Sequence, residues 1–589
     1  MSHSSHTLEK SPLLLISLLK QYGIKRVIAS PGTANMPLVI GMQYDSFFEM
    51  YSAVDERSAA YMACGMAAES GEPVVITCTE ATASRNYLPG LTEAYYRKLP
   101  VLAVMTSHGK NLIGSYEPQV IDNTVIPNDV AKYSVEVPFC RSKDDEQTIV
   151  THINEAISQL YSNGGGPVRI LLESIDAWHY DDAALPSTKV IKLYDEVENI
   201  PSIPEGNVVI YVGAHKNFSK QETADIERFC EMHNAAVMCD LTSNYHGKYR
   251  INYSLVAMQE GASTIIPSVD LCIYIGTVTG EYYSSLSVCK KAKQFWLLDP
   301  EGKFRNRYGS LSAVISVNES KFFKNFAGGE KQETSFYNAL TKQYDNLVTK
   351  IPEVPFSNLW VALKSQSEVP TNSAIHATIN NSFRSWNILN LPTGVEGSTN
   401  VGGFGIDGGL STMVGASLVH KDKLYFCITG DLAFFYDMNS LGNRHVGNNV
   451  RVLLINNGRG QEFRNYQHPG SLFGEDADKF VAAGGHFGRQ SRELVKHYAE
   501  DLGFKYMQAN SKEEFLNVYK EFFDDKITNQ PMLLEVFTTT EDENEALHAI
   551  RNIIPKDINI KSAVKDGVKK LIGYKTTKAI SAFKDTLKG

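Results

Sequence analysis

Two stretches in the last third of the chain carry the residue types that hold a hard cation. Gly430-Asp431-Leu432-Ala433 follows one apolar run, and Asn456-Asn457-Gly458-Arg459-Gly460 follows the next. The alternation of apolar runs and helical segments puts Asp431 and Asn457 at the carboxyl ends of parallel strands, where open α/β sheets bind ligands. A carboxylate and an amide oxygen beside a glycine-rich turn and a helix start suit Mg²⁺ together with a diphosphate. Each half also has a plainer use, Asp431 as a helix cap and Asn456-Asn457-Gly458 as a turn. Near the other end, Asp55-Glu56 closes a strand and opens a helix, a position where the helix dipole by itself favours acidic residues.

The elements that must position these groups follow from periodicity. Short β-branched runs at 26–30, 50–54, 73–78, 101–106 and 168–172 alternate with helical stretches, which reads as parallel α/β. A proline-containing polar stretch over 185–205 reads as a linker. A second α/β unit has predicted strands at 208–212, 236–239, 271–275 and 294–298; its Val212-Gly213-Ala214 turn lacks a full dinucleotide fingerprint. After a helix-rich connection over about 327–372, a third unit has predicted strands at 424–429, 450–456 and 532–537. No short repeat links the first and third units, so any kinship between them is one of fold. The apolar segment 11–20 reads as an amphipathic helix, too short for a membrane span.

Length and composition agree. At 589 residues the chain has room for roughly three or four domains. With 43% hydrophobic and 21% charged residues it is neither disordered nor fibrous. A net charge of -9 argues against a general nucleic-acid binder. The eight cysteines are scattered without a CxxC pair and read as reduced core residues of a cytoplasmic protein.

Gly-Asp followed by a distant Asn-Asn resembles the cofactor motif of the thiamine diphosphate enzymes. The resemblance implies Mg²⁺ held by Asp431, Asn457 and the backbone carbonyl of Arg459, with Gly430, Leu432 and Ala433 beside the cofactor. It implies that Glu56 is the glutamate that hydrogen-bonds the aminopyrimidine ring, favouring the imino tautomer that removes the thiazolium C2 proton. Within this family the chain is most similar to the MenD branch. Ser30-Pro31-Gly32-Thr33, Cys78-Thr79 through Thr82, Asn86 and Pro89, Gly405-Ile406-Asp407-Gly408 with Leu410-Ser411-Thr412, and Gly430-Asp431-Leu432 with Tyr436-Asp437 and Asn439 carry that similarity. By the match, Ile406 wedges the cofactor into a bent form, Gln119 is the active-site glutamine, and Ser382 and Thr82 are cofactor neighbours. Taken alone, Ile406 reads equally as core.

The implied architecture is three doubly wound parallel-sheet domains: pyrimidine-binding (1–185), central Rossmann-like (186–355) and diphosphate-binding (356–545), followed by a basic amphipathic helical tail (546–589). The implied activity is a decarboxylase or carboligase, a lyase or transferase, acting on a 2-oxoacid donor and protonating the product or adding it to an electrophilic acceptor. A homodimer or homotetramer is implied as well. Departures from MenD fall where substrates bind: Ala34 and Val401 stand where that branch has arginines, and carboxylate recognition wants such forks. Glu462 stands where simple 2-oxoacid decarboxylases carry an acidic proton donor, and Glu80, Arg85, His108 and Glu117 add polar groups. The alternatives are genuine MenD synthase activity on 2-oxoglutarate and isochorismate, and a catalytically silent scaffold or regulator. The lysine-rich tail beyond Pro555 reads as packing on the enzyme, with a membrane-surface or partner contact as its rival.

Overall fold

The computed structural model describes residues 6–174, 178–182, 184–485 and 491–556. Of the tail expected over 546–589, residues 546–551 belong to a helix that begins at Thr540, and the residues after 556 lie outside the described residues. Two compact units emerge. One holds the described residues of Met1–Ile210, Val269–Ile275 and Cys289–Glu330, and the other holds the rest.

The first unit is built on six parallel strands: β1 (Arg26–Ala29), β2 (Glu49–Ser52), β3 (Val74–Thr79), β4 (Val101–Ser107), β5 (Tyr133–Val137) and β6 (Val168–Glu173), in the order β2-β1-β3-β4-β6-β5. Period-2 alternation sends Val75, Leu102, Val104 and Ile170 into one core and Val74, Ile76, Val101 and Ala103 into another. Both faces of the sheet are therefore covered, which explains why its strands read as continuous apolar runs. Helix α1 (Lys10–Gln21) is not amphipathic as expected: every residue from Ser11 to Leu19 is buried. Its two serines, on different faces, are accounted for by Ser11 Oγ and Ser17 Oγ, which donate to the carbonyls of Pro138 and Pro186 at 2.8 Å. Helices α2 (Glu56–Ser70) and α3 (Thr82–Asn86) follow β2 and β3.

The stretch read as a linker carries a strand, β7 (Lys192–Tyr194). Only three residues long and at an edge, it had too few apolar positions to register. The remaining middle strands are β8 (Val208–Val212), β9 (Ala235–Cys239), β10 (Arg250–Ile251), β11 (Leu271–Ile275), β12 (Gln294–Leu298) and β13 (Leu311–Ile315). In the first unit β11, β12, β13 and β7 pair in that order, all parallel, and in the second β9 pairs with β10.

The second unit contains another six-stranded parallel sheet: β14 (Ser373–Ala377), β15 (Glu396–Ser398), β16 (Leu424–Gly430), β17 (Val450–Asn456), β18 (Lys505–Ala509) and β19 (Met532–Phe537), ordered β15-β14-β16-β17-β19-β18. Strand for strand this is the order of the first sheet. Each sheet reverses direction of winding between its first and third strands in chain order, creating a switch point at the strand ends. The helices that matter below are α4 (Asn381–Trp386), α5 (Gly409–Ser417) and α6 (Asp431–Asp437). The turns into α3 and α4 share a rare backbone conformation, Ala81 at φ 62, ψ -137 and Asn380 at φ 73, ψ -121.

The eight cysteines are free, and all but Cys140 are buried. Among the described residues no helix is long and apolar enough to cross a membrane.

Candidate active site

Strands β16 and β17 lie side by side with Gly430 in register with Ile455, so Asp431 and Asn457 leave neighbouring strand ends. Both line one cavity of ≈ 520 Å³ in the second unit. Ser382, Ile406, Gly430, Leu432, Ala433, Arg459 and Glu462 line it too. Ile406 is half-buried there rather than sealed in the core.

Of the two adjacent asparagines, Asn456 does the work of the turn. Its Oδ1 accepts from the Gly458 N–H at 3.2 Å, and its Nδ2 donates to Glu535 Oε1 at 2.7 Å. Asn457 is left with a buried Oδ1 that has no hydrogen-bond partner. The helix cap falls likewise to Gly430, with Asp431 the first residue of α6. Burial pushes the Asp431 carboxyl up to about 7, against the pull of the backbone N–H groups of Leu432, Gly458 and Arg459. Gly458 adopts φ 76, a backbone turn that a side chain would strain. A buried carboxyl and an orphaned amide oxygen on one cavity wall are what a divalent cation would satisfy, so these residues fit Mg²⁺. Among the described residues no group of three or more His, Cys, Asp or Glu could hold a metal ion.

The motifs that bracket this cavity are tied together. Asp437, at the end of α6, accepts from the Ser411 N–H at 2.6 Å and from its hydroxyl, joining the Gly405–Thr412 stretch to the Gly430–Asn439 stretch. Glu462 is held by Arg384 of α4 through two hydrogen bonds, at 2.9 and 3.0 Å. Asn381 Oδ1 accepts from Arg384 at 2.7 Å, and Asn465 Nδ2 donates to both Asn381 and Glu462. Arg384 as the partner of Glu462 was not foreseen; its nearness in sequence to Ser382 was the available signal.

In the first unit, Asp55 rather than Glu56 caps the helix. The Asp55 carboxylate accepts from the Arg57 N–H at 3.0 Å, while Glu56 Oε2 accepts from Asn86 Nδ2 at 3.0 Å. Glu56 is thereby freed from local capping and oriented by a residue of the Cys78–Pro89 motif. That motif also meets Ser30-Pro31-Gly32-Thr33: a Cβ on Gly32 would lie 2.1 Å from Thr79 Cγ2, so only glycine fits. Thr82 opens α3 and is exposed, and Gln119, at φ 68, is exposed in the irregular segment between β4 and β5. Ala34 and Val401 are both buried. Glu80 is buried with an unpartnered Oε2.

Two parallel sheets of one strand order, one of them with a carboxylate and an amide at neighbouring carboxyl ends, make an α/β fold of the kind that places ligands at its strand ends. Residues 13–126 match the thiamine pyrophosphate enzyme N-terminal TPP binding domain, and residues 386–536 match the C-terminal TPP binding domain. Over these two stretches the chain is thus similar to the thiamine pyrophosphate enzymes. It is similar to the 2-succinyl-5-enolpyruvyl-6-hydroxy-3-cyclohexene-1-carboxylate synthases of Bacteroides fragilis and Phocaeicola vulgatus, each 28% identical over 92% of this chain and 99% of the relative. The synthase of Desulfotalea psychrophila is 27% identical over 88% of this chain and 96% of its own length.

Proposed function

We propose that the protein is a Mg²⁺- and thiamine diphosphate-dependent enzyme that decarboxylates a 2-oxoacid and then protonates the product or joins it to an electrophilic acceptor. The observation that carries this reading is the meeting of the buried Asp431 carboxyl and the unpartnered Asn457 Oδ1 on one cavity. In this reading Asp431, Asn457 and the Arg459 carbonyl hold the metal. Ser382 and the Gly430–Ala433 turn flank the diphosphate, and Ile406 supports the bent cofactor. When bound, thiamine diphosphate supplies the electron sink that lets carbon dioxide leave.

The chain's own task is to orient and to handle protons. Glu56, steadied by Asn86, holds a proton at the pyrimidine ring. Glu462 places a carboxylate toward the substrate space, and Gln119 contributes a neutral hydrogen-bonding group. The working unit of this proposal is a homodimer or homotetramer, in which the first domain of one copy completes the site of another.

A second reading, the synthase activity named for the relatives above, is favoured by similarity along nearly the whole chain. Ala34 and Val401 weigh against it, because neither can pair a carboxylate. The test is carbon dioxide release from a panel of 2-oxoacids with Mg²⁺ and thiamine diphosphate supplied, Glu56→Gln serving as control. 2-Oxoglutarate with isochorismate forms a separate arm. Release from one or more acids that disappears in Glu56→Gln supports the proposal, and no release from any acid overturns it.

A further inference from the structure

The loop that follows Asn457 is clasped from outside the cavity by the segment 474–485. The Gly460 N–H donates to the Ala482 carbonyl at 2.6 Å, and the Gly485 N–H donates to the Gly458 carbonyl at 3.0 Å. Between these two backbone bonds stands one ion pair. Arg459 Nη1 donates to Asp478 Oδ2 at 2.7 Å, with side-chain exposures of 29% and 21%. The other oxygen of Asp478 accepts from Arg464, whose side chain is 12% exposed. The Asp478 carbonyl in turn accepts from the Gly484 N–H at 2.6 Å, so the carboxylate sits on a closed turn rather than a free strand.

Glycine at 458 and 460 leaves the loop backbone intrinsically free, and Arg459 is the one residue between them whose side chain can anchor it. A side chain fixed at its far end limits rotation of its own peptide unit. We propose that Asp478 is a positioning residue that, through the Arg459 guanidinium, holds the Arg459 carbonyl where a divalent cation needs it. This inference rests on the proposed reading of the loop as a metal site.

The physical reason for such a clasp is the stringency of the ion. Mg²⁺ demands near-ideal octahedral geometry, so a displaced carbonyl ligand is poorly tolerated. Partners that orient ligands from behind are typically worth ten- to a hundredfold in metal affinity. An arginine at this position, where only the main chain is asked to ligate, then has a use: it carries the tether. Arg464 shares the carboxylate but lies beyond the loop, and its role is to balance Asp478.

Isothermal calorimetry of thiamine diphosphate into the full-length apoprotein, over a Mg²⁺ series, tests this directly. For Asp478→Asn, the Mg²⁺ concentration giving half-maximal association is expected to rise about ten- to a hundredfold. Saturating Mg²⁺ should restore the wild-type heat, although the apoprotein should melt lower because two arginines lose their carboxylate. Arg459→Met should give the same shift, and the double variant no more than either. Arg464→Met should stay within about threefold of wild type. If Asp478→Asn fails to fold, the comparison of Arg459→Met with Arg464→Met decides. Wild-type Mg²⁺ dependence in Arg459→Met, additive shifts in the double variant, or equal shifts from both arginines would overturn the inference. Absence of any Mg²⁺-dependent association in the wild type would instead overturn the proposed function.

Discussion

Arg384 grips the Glu462 carboxylate with both terminal nitrogens, Nη1 to Oε2 at 2.9 Å and Nη2 to Oε1 at 3.0 Å. The two residues come from the helix that carries Ser382 and from the loop that carries Asn457, so one ion pair joins the two sides of the cavity. With side-chain exposures of 17% and 27% the pair is largely withdrawn from water. Breaking one partner of such a pair costs more than removing both. Arg384→Met is therefore expected to lower stability by about 1–3 kcal/mol, and Arg384→Met with Glu462→Leu to recover much of the loss. Urea unfolding of the three proteins checks this; a double variant weaker than Arg384→Met would show that the pair is not the unit.

The separation of roles between Asp55 and Glu56 predicts a divided outcome. Glu56→Gln keeps the side-chain oxygen that accepts from Asn86 and leaves the Asp55 cap intact, so melting should change little. Turnover should fall about 10²- to 10⁴-fold, the usual contribution of a positioned proton donor or acceptor. Asp55→Ala should do the reverse, costing about 1 kcal/mol of stability as a lost cap. Thermal unfolding and carbon dioxide release, measured on both variants, separate the two effects.

His376 sets a pH dependence. It lies in β14 opposite Ser398 of β15, its Nδ1 2.9 Å from the Ser398 hydroxyl and its Nε2 buried without a partner. Burial holds this imidazole down at about 4 against an ordinary 6.5. Above pH 6.5 the ring is neutral both folded and unfolded, and its contribution is complete. As pH falls from 6.5 towards 4 the unfolded chain takes up a proton that the folded chain refuses, and stability drops by up to about 3 kcal/mol. Urea midpoints between pH 7 and 4 should show this slope in the wild type and a shallower one in His376→Gln.

Ala81 carries backbone strain of a kind that only glycine escapes. At φ 62, ψ -137 it holds a conformation that residues with a side chain rarely adopt, and such conformations cost on the order of 1–3 kcal/mol. Ala81→Gly removes the Cβ conflict but adds freedom to the unfolded chain, so the net gain expected is about 1 kcal/mol. Thermal melting measures it, and a lower melting temperature in the glycine variant would refute the strain.

Much of the scaffold was legible without coordinates because sheets covered on both faces force uninterrupted apolar strands. The runs at 208–212, 271–275, 294–298, 450–456 and 532–537 coincide with the observed strands residue for residue. Those passed over belong chiefly to sheet edges, such as Tyr133–Val137, Lys192–Tyr194, Glu396–Ser398 and Lys505–Ala509, where one side of the strand lacks a neighbour and polar residues are tolerated. Ser373–Ala377 is interior, but the buried Ser373 and His376 hid it.

At the cavity the limit was of another kind. Residue type and spacing brought forward Asp431 and Asn457, while Glu56 was singled out by the resemblance to thiamine diphosphate enzymes, since Asp55-Glu56 alone reads as a helix start. Spacing could not say which of Asp55 and Glu56, or of Asn456 and Asn457, is consumed by its own turn. Adjacent side chains of the same type point in different directions, and direction is set by backbone dihedrals and by distant partners such as Asn86 and Glu535. The pairing of Glu462 with Arg384, and of Arg459 with Asp478, likewise depends on loops that packing of the sheet brings together. Chemistry was a matter of composition at strand ends; which groups are consumed by their own turns required the folded chain, because hydrogen-bond satisfaction is a property of three-dimensional neighbours.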